Sequence, residues 1–355
     1  MSPDRSLLDQ IGSLYREKNV PYSVLFEITG KCNLNCFHCY NARRAEPVLS
    51  LDEVEHTLKQ LANLGCLYLT LSGGEVFCRH DHQAVFQKVR ELGFAWNLFT
   101  NATLITEERA RELKLLNVME VSVSVFSAES EIHDGITGVP GSLAKTVRGL
   151  ELLKEQGIRL NIKCVLMKRN VKDYRGIVNL ANRVTASCQF DTNVMPGADN
   201  DFSPLKERLD RDDLEQVLSD NDVFPRAGKP VLEKRTHCDI DDPAGNDRQL
   251  VCSAGITCMS IDPYGGVYSC IHHSQPAGSL REQDIRTIWE ASPVFKQLRE
   301  ISPDRMEACR TCAHTSYCSR CPALAEREDG NLLGCSTWAR SQAEIMRGIL
   351  KGKAE

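Results

Sequence analysis

No run of apolar residues in the chain approaches the roughly 18 that a membrane-crossing helix needs, which excludes a helical membrane protein. An excess of one charge is also missing. There are 43 Lys plus Arg against 48 Asp plus Glu, a net charge of −5, which removes the usual reason to expect a nucleic-acid partner. The opening residues, MSPDRSLLDQIGSLYREKNV, lack the basic-then-apolar order of a secretion signal, so a cytoplasmic location with no membrane partner is expected. Internal repeats and low-complexity tracts are absent as well. What is left is an ordinary globular composition, 42% hydrophobic over 355 residues, enough for one large or two average domains at roughly 100–200 residues each.

The unusual presence is cysteine. Sixteen occur, and in a reducing compartment they must be explained as thiols or metal ligands rather than disulfides.

From residue 22 to 194 apolar β-type runs alternate with amphipathic helical patterns, the mark of repeated strand–helix units and a parallel sheet. Strands are expected at Tyr22 to Ile28, Leu67 to Leu71, Ala95 to Thr100, Met119 to Val125, Arg159 to Leu166 and Gln189 to Val194. Their near-continuous apolar runs suit strands covered on both faces. The first helix is the clearest, with a Ser50/Glu53 capping box, Leu51, Val54, Leu58 and Leu61 on one face and Gly65 as its stop. Further helices are expected near His82 to Leu92, Thr106 to Leu116, Ser142 to Gln156, Asp173 to Val184 and Asp210 to Ser219. The fold class is therefore α/β: a partial (β/α)6 barrel, two units short of the eightfold barrel, whose functional residues belong in loops after the strands' carboxyl ends.

Beyond about residue 220 the periodicity fades and cysteines crowd together from Cys238 to Cys335. The expected division is a 1–20 extension, a 21–220 barrel, a 221–250 linker, a small cysteine-rich domain over 251–340 and a 341–355 helix. With short elements and few large apolar residues, the cysteine-rich domain is expected to depend on bound metal for its order.

Directly after the first strand, Cys32, Cys36 and Cys39 follow a Cys-x3-Cys-x2-Cys spacing. Three thiols are one short of a full set. Either a zinc knuckle is completed by His38 or a distant residue, or a cubane iron–sulfur cluster is left with one iron open. The loop after the second strand carries Ser72, Gly73, Gly74 and Glu75, and the two loops face the same barrel mouth. Two glycines permit close backbone approach, and Glu75 supplies an acceptor for a cationic group.

Together these motifs resemble the radical S-adenosylmethionine (radical SAM) superfamily over about residues 21 to 200. The resemblance implies a [4Fe-4S] cluster on Cys32, Cys36 and Cys39, its fourth iron chelated by S-adenosyl-L-methionine. Glu75 and the backbone of Gly73 and Gly74 would hold the amino group, with His38 beside the adenine. Thr100 and Ser124, at the ends of strands three and four, stand where the family contacts methionine or ribose, or are simple strand-end hydroxyls. Val76 replaces the proline usual after Gly-Gly-Glu.

In the tail, Cys309-x2-Cys312-x5-Cys318-x2-Cys321 alone reads equally as a zinc ribbon. Preceded by Cys252, Cys258 and Cys270, and followed by Cys335, the series resembles the SPASM (twitch-type) auxiliary-cluster domain. That resemblance implies two auxiliary [4Fe-4S] clusters, one on Cys252, Cys258, Cys270 and Cys321, the other on Cys309, Cys312, Cys318 and Cys335, with exchange of Cys318 and Cys321 left open. After Cys270 come Ile271, His272 and His273, where sulfatase-maturing members carry a carboxylate, which disfavours formylglycine formation. Cys66, Cys78, Cys164, Cys188 and Cys238 are expected as small core residues, with Cys78 and Cys238 the ones to watch. His133 and Asp134, in a stretch shared by many SPASM maturases, receive no chemical role.

The expected function is that of a radical SAM/SPASM maturase. It would modify a peptide or small protein at an unactivated C–H bond by a carbon–carbon or thioether cross-link (RiPP-type maturation). A low-potential donor such as flavodoxin or ferredoxin would supply electrons. Only about 20 residues precede Tyr22, so a separate protein is expected to present the peptide. The rival enzyme reading is a small metabolite such as a tetrapyrrole or quinone precursor, and the rival outside enzymes is an iron–sulfur scaffold. No residue is assigned as catalytic acid or base.

Overall fold

The computed structural model describes residues 7–41, 46–197, 201–221, 223–224, 252–302 and 305–352. Most of the expected linker, with His237 and Cys238, lies outside the described residues. An amphipathic helix, α1 (Leu7–Glu17), precedes the first strand, where the sequence reading expects only an extension.

Six parallel strands follow: β1 (Ser23–Glu27), β2 (Tyr68–Ser72), β3 (Ala95–Thr100), β4 (Glu120–Ser124), β5 (Leu160–Val165) and β6 (Ser187–Asp191). They alternate with α2 (Leu51–Leu64), α3 (His82–Glu91), α4 (Glu107–Leu115), α5 (Ser130–Thr137), α6 (Ser142–Glu155) and α7 (Tyr174–Val184), and α8 (Arg211–Ser219) comes after β6. At α2 the capping box forms as the sequence predicts: the Glu53 amide donates to Ser50 Oγ and the Ser50 amide to Glu53 Oε2, while Gly65 ends the helix at φ +93°.

The strands differ from expectation in one instructive respect. Alternate residues, among them Val24, Phe26, Leu69, Leu71, Val121 and Val123, enter the main core under the helices. The other face is polar, where dry packing was expected. On it Ser122 donates to Glu120, Asn161 to Ser122 and Ser187 to Asn161, so its buried polar groups satisfy one another. Strand six starts two residues earlier than predicted, because Thr185 takes φ +57° at the end of α7 and reverses the chain at once.

The cysteine-rich segment joins the barrel's own sheet. Its first strand, β7 (Cys258–Ile261), lies parallel to β1, with Ser23 opposite Cys258 and Phe26 opposite Ile261. Antiparallel β8 (Gly266–Tyr268) and β9 (Gly278–Ser279) extend it, so among the described residues one sheet runs β6-β5-β4-β3-β2-β1-β7-β8-β9. Helices α9 (Ile285–Ala291) and α10 (Pro293–Arg299) carry Trp289 and Phe295, buried with ring centroids 5.0 Å apart. Trp289 donates to the Asn19 carbonyl at 2.7 Å. The segment thus has more apolar core than its composition suggests.

Short α11 (Glu307–Arg310) and α12 (Pro322–Asp329) lead to α13 (Thr337–Gly352), which starts four residues before the expected boundary at 341. It returns to the far end of the barrel, where Gln342 and Trp338 bond Thr192 and Asn193 just after β6. Among the described residues no helix is long and apolar enough to cross a membrane.

Helix α6 crosses the loop after β3 so closely that a Cβ at Gly149 would collide with the Ala102 carbonyl oxygen. Gly→Ala inside a helix ordinarily stabilises by about 1 kcal/mol. Here the collision outweighs that gain, and Gly149→Ala is expected to lower stability by about 1–3 kcal/mol, read as a reduced urea midpoint.

Candidate iron–sulfur and cofactor sites

The three-cysteine loop leaves β1 and is fixed from two sides. On one side the Gly-Gly-Glu turn closes on it, with the Gly74 amide donating to the Thr29 carbonyl and the Glu75 amide to that of Lys31, both at 2.8 Å. Gly73 sits at φ +139°, and a Cβ there would strike Thr29 O, as one on Gly74 would strike Lys31 O. Gly73 is therefore required by contact and by conformation, and Gly74 by contact. On the other side, the Asn35 and Phe37 amides donate to the Thr137 and Ile136 carbonyls at the end of α5.

That second clamp explains the stretch around His133. Asp134 accepts from the amides of Gly141 and Leu143 and from Ser142 Oγ, joining α5 to α6, and His133 Nδ1 accepts from the Phe126 amide. Both are scaffolding for the cysteine loop. The stretch itself is the short helix α5, ended by Gly138 at φ +69°.

Glu75 is buried and aimed at the end of β3. It accepts from Thr100 Oγ1 at 2.8 and 2.9 Å, the Asn101 amide at 2.7 Å and the Phe77 amide at 3.3 Å. Burial raises its pKa against these donors. Asn101, which sequence reasoning missed, carries the network onward: its side-chain amide lies 3.0 Å from Asn33 Oδ1 and 3.9 Å from Cys32 Sγ. Its only sequence signal is its place one residue past the strand end.

Cys39, Glu75 and Cys78 all lie within electrostatic reach of Cys32. Burial first, then these neighbours, pushes the Cys32 thiol up, so metal must displace protons to bind there. His38 packs edge-on against Phe126 at 4.8 Å, with Nδ1 buried and unpartnered. Burial, helped by the Arg169 charge, holds it at a pKa of about 4, so it is neutral near pH 7. Ser124 is at the exposed end of β4, opposite Lys163. At the end of β1, Glu27 accepts from the Tyr40 hydroxyl at 3.2 Å, and burial, with Asp262 nearby, pushes its pKa to about 7.

In the C-terminal segment Cys252, Cys270 and Cys321 line one cavity with Ala254, Ser269 and Leu298, while Cys258 is buried on adjoining β7. Cys318 shares its electrostatic surroundings with Cys309, Cys312 and Cys335. Cys318 and Cys321 thus fall into separate groups. Among the described residues no three His, Cys, Asp or Glu side chains converge as ligands of one ion would. A four-iron cubane takes one thiolate per iron and needs its ligands spread around it. The all-thiol donor sets, the unpartnered His38 nitrogen and the glycine turn are compatible with such a cluster and a bound cofactor. Of the other cysteines, Cys66 and Cys164 are core residues, Cys188 packs against the core, and Cys78 belongs to the mouth.

The Radical SAM superfamily profile matches residues 26–181, and that of the SPASM iron-sulfur cluster-binding domain matches residues 252–313. An AdoMet-dependent heme synthase of Methanosarcina barkeri is 28% identical over 336 residues, covering 89% of this chain and 95% of the relative. The mycofactocin maturase MftC of Mycobacterium tuberculosis is 28% identical over 329 residues, covering 89% and 81%. The crystal structure of Streptococcus suis SuiB bound to S-adenosylmethionine superposes with a TM-score of 0.68 at 18% identity, covering 91% and 78%. SuiB bound to its precursor peptide SuiA gives 0.67 at 18%, covering 89% and 76%.

Replacing Gly74 with Ala should push the Lys31 carbonyl aside and part the turn from the cysteine loop. Calorimetric titration of the reconstituted protein is expected to show SAM affinity at least about tenfold weaker, a loss of about 1.4 kcal/mol. The β1 cysteine loop, the turn that locks it, the cysteine-rich tail and the two profile matches agree: the chain is a radical SAM enzyme carrying a C-terminal SPASM domain.

Proposed function

We propose that this enzyme matures a peptide or small protein, modifying an unactivated C–H position by a carbon–carbon or thioether cross-link. Cys32, Cys36 and Cys39 would hold a [4Fe-4S] cluster and SAM, which when bound supply the 5′-deoxyadenosyl radical that abstracts hydrogen. Glu75 anchors the turn through Thr100 and Asn101, the Gly73 and Gly74 backbone would meet the methionyl group, and neutral His38 would flank the adenine. Ser124 is available to the ribose from the exposed end of β4. Two auxiliary clusters would sit on Cys252, Cys258, Cys270 and Cys321 and on Cys309, Cys312, Cys318 and Cys335, making three in all. In domain terms, 21–220 is the barrel and 251–340 the SPASM domain. Thiol-ligated iron suits a reducing cytoplasm, with flavodoxin or ferredoxin as donor and a separate protein presenting the peptide.

The observation that carries the choice of a peptide is the charge of the concave sheet face. Glu27, Glu120 and Asp191 alternate onto it, and among the described strand residues Lys163 is the one cation there. Glu27 is held near neutrality and Glu120, at the amino end of β4, is paired with Arg159 at 3.2 Å, so beyond Lys163 the strands of this face give the several carboxylates of a tetrapyrrole little to pair with, and Asp191 at the carboxyl end of β6 opposes them. MftC and SuiB, whose names and structures speak of maturation and a precursor peptide, favour the same reading.

The full-length likeness to a heme synthase keeps a tetrapyrrole substrate as the second reading. Anaerobic reconstitution should give about twelve irons per chain, falling to about eight when Cys32, Cys36 and Cys39 are all replaced by Ala. With SAM and reductant, a peptide mixture should raise 5′-deoxyadenosine formation and yield a product lighter by the two hydrogens a cross-link removes. Stimulation by a tetrapyrrole precursor alone would reverse the choice, and zinc with little sulfide would sink both readings.

A further inference from the structure

Among the described residues, an imidazole stands at a sulfur of one of the two C-terminal thiol groups. His272, two residues past Cys270, is turned so that Nδ1 lies 3.7 Å from Cys321 Sγ, within hydrogen-bond range for sulfur. The ring is enclosed where the barrel meets the C-terminal segment. Asp191 at the end of β6 faces it from the barrel, and Arg327 and Glu328 face it from α12. These partners are themselves pinned. Asp191 accepts from the Asn193 amide and side chain, Arg327 donates to the Gly197 carbonyl, and Glu328 is held by a two-toothed pair with Arg208 at 2.6 and 2.7 Å. The charges around the imidazole are therefore fixed in place.

We propose that His272 is a positioning residue that sets the reduction potential of the cluster held by Cys252, Cys258, Cys270 and Cys321, by donating its Nδ1–H to the Cys321 sulfur. This rests on the cluster assignment above. A ligating thiolate is an acceptor only, so the nitrogen that faces it carries the hydrogen. Reduction adds negative charge that spreads onto the sulfurs, and a donor at one of them stabilises the reduced state more than the oxidised. In an enclosed site that preference is weakly screened. The Arg320 guanidinium eases the thiols of Cys309 and Cys318 in the other group and that of Cys321 in this one, so it does not tell the two apart. The His272 contact is made to Cys321, and altering His272 should move one potential and leave the other in place.

The test is an EPR-monitored redox titration of full-length protein with Cys32, Cys36 and Cys39 replaced by Ala, so that only the auxiliary clusters report. It is run for His272 and for His272→Phe, His272→Met and His272→Gln, each with iron and sulfide counted. The expected result is about eight irons throughout. One of two potentials should fall by about 59 mV in the Phe and Met variants, a tenfold change in a one-electron equilibrium, and recover in Gln, which restores an N–H donor. Unchanged potentials, an equal fall in all three variants, or loss of four irons in all three would overturn the proposal. Should Phe alone lose the cluster, Met against Gln decides on the same reading. An iron count far below eight with His272 in place would instead mark failure of the cluster assignment itself.

Discussion

The closure of the Gly-Gly-Glu turn on the Thr29–Lys31 backbone is the contact on which the rest of the site depends. Two glycine surfaces press against two carbonyl oxygens, with no room for a methyl group at either place. This contact brings the carboxyl ends of β1 and β2 together, and Glu75 then draws in the end of β3 through Thr100 and Asn101. Asn101 reaches back to Asn33 and Cys32, so three strand ends and the cysteine loop form one closed hydrogen-bonded circuit. A circuit of this kind holds a reactive centre in one geometry, which chemistry through a free radical requires if it is to touch a single C–H bond.

Much of this was legible before any coordinates. The alternation of strands and helices, the capping box at Ser50 and the position of the cysteine loop after the first strand all follow from local rules, and the structure agrees with them. The features that were not legible depend on distant partners. The polarity of the concave face was hidden because strands such as Glu120–Ser124 mix Val and Ser, and only the sheet register shows which residues share a side. The brace at α5 was hidden because eight residues with a central glycine carry too little periodicity to announce a helix. Asn101 could not be singled out from a strand-end dipeptide, since its importance lies in a contact to residues about seventy positions earlier.

The cysteine-rich tail shows the same boundary between local and distant information. Its spacing was enough to separate eight thiols into two sets on a resemblance. The way the tail attaches was not apparent. Nothing in Cys258–Ile261 says that it will pair with β1 rather than with a neighbour in its own segment.

That pairing bears on how the chain is made. The strand that leads into the cysteine loop is a central strand of the finished sheet, yet its second partner is encoded more than 230 residues later. During synthesis at roughly 5–20 residues per second, the edge of β1 must wait for tens of seconds with its amides and carbonyls unpaired. The newborn barrel therefore passes through a stage in which an apolar strand, flanked by reactive thiols, offers itself to any other extended chain. Pairing with β7 ends that exposure, so the cysteine-rich segment shields the strand that carries the cysteine loop as well as extending the sheet.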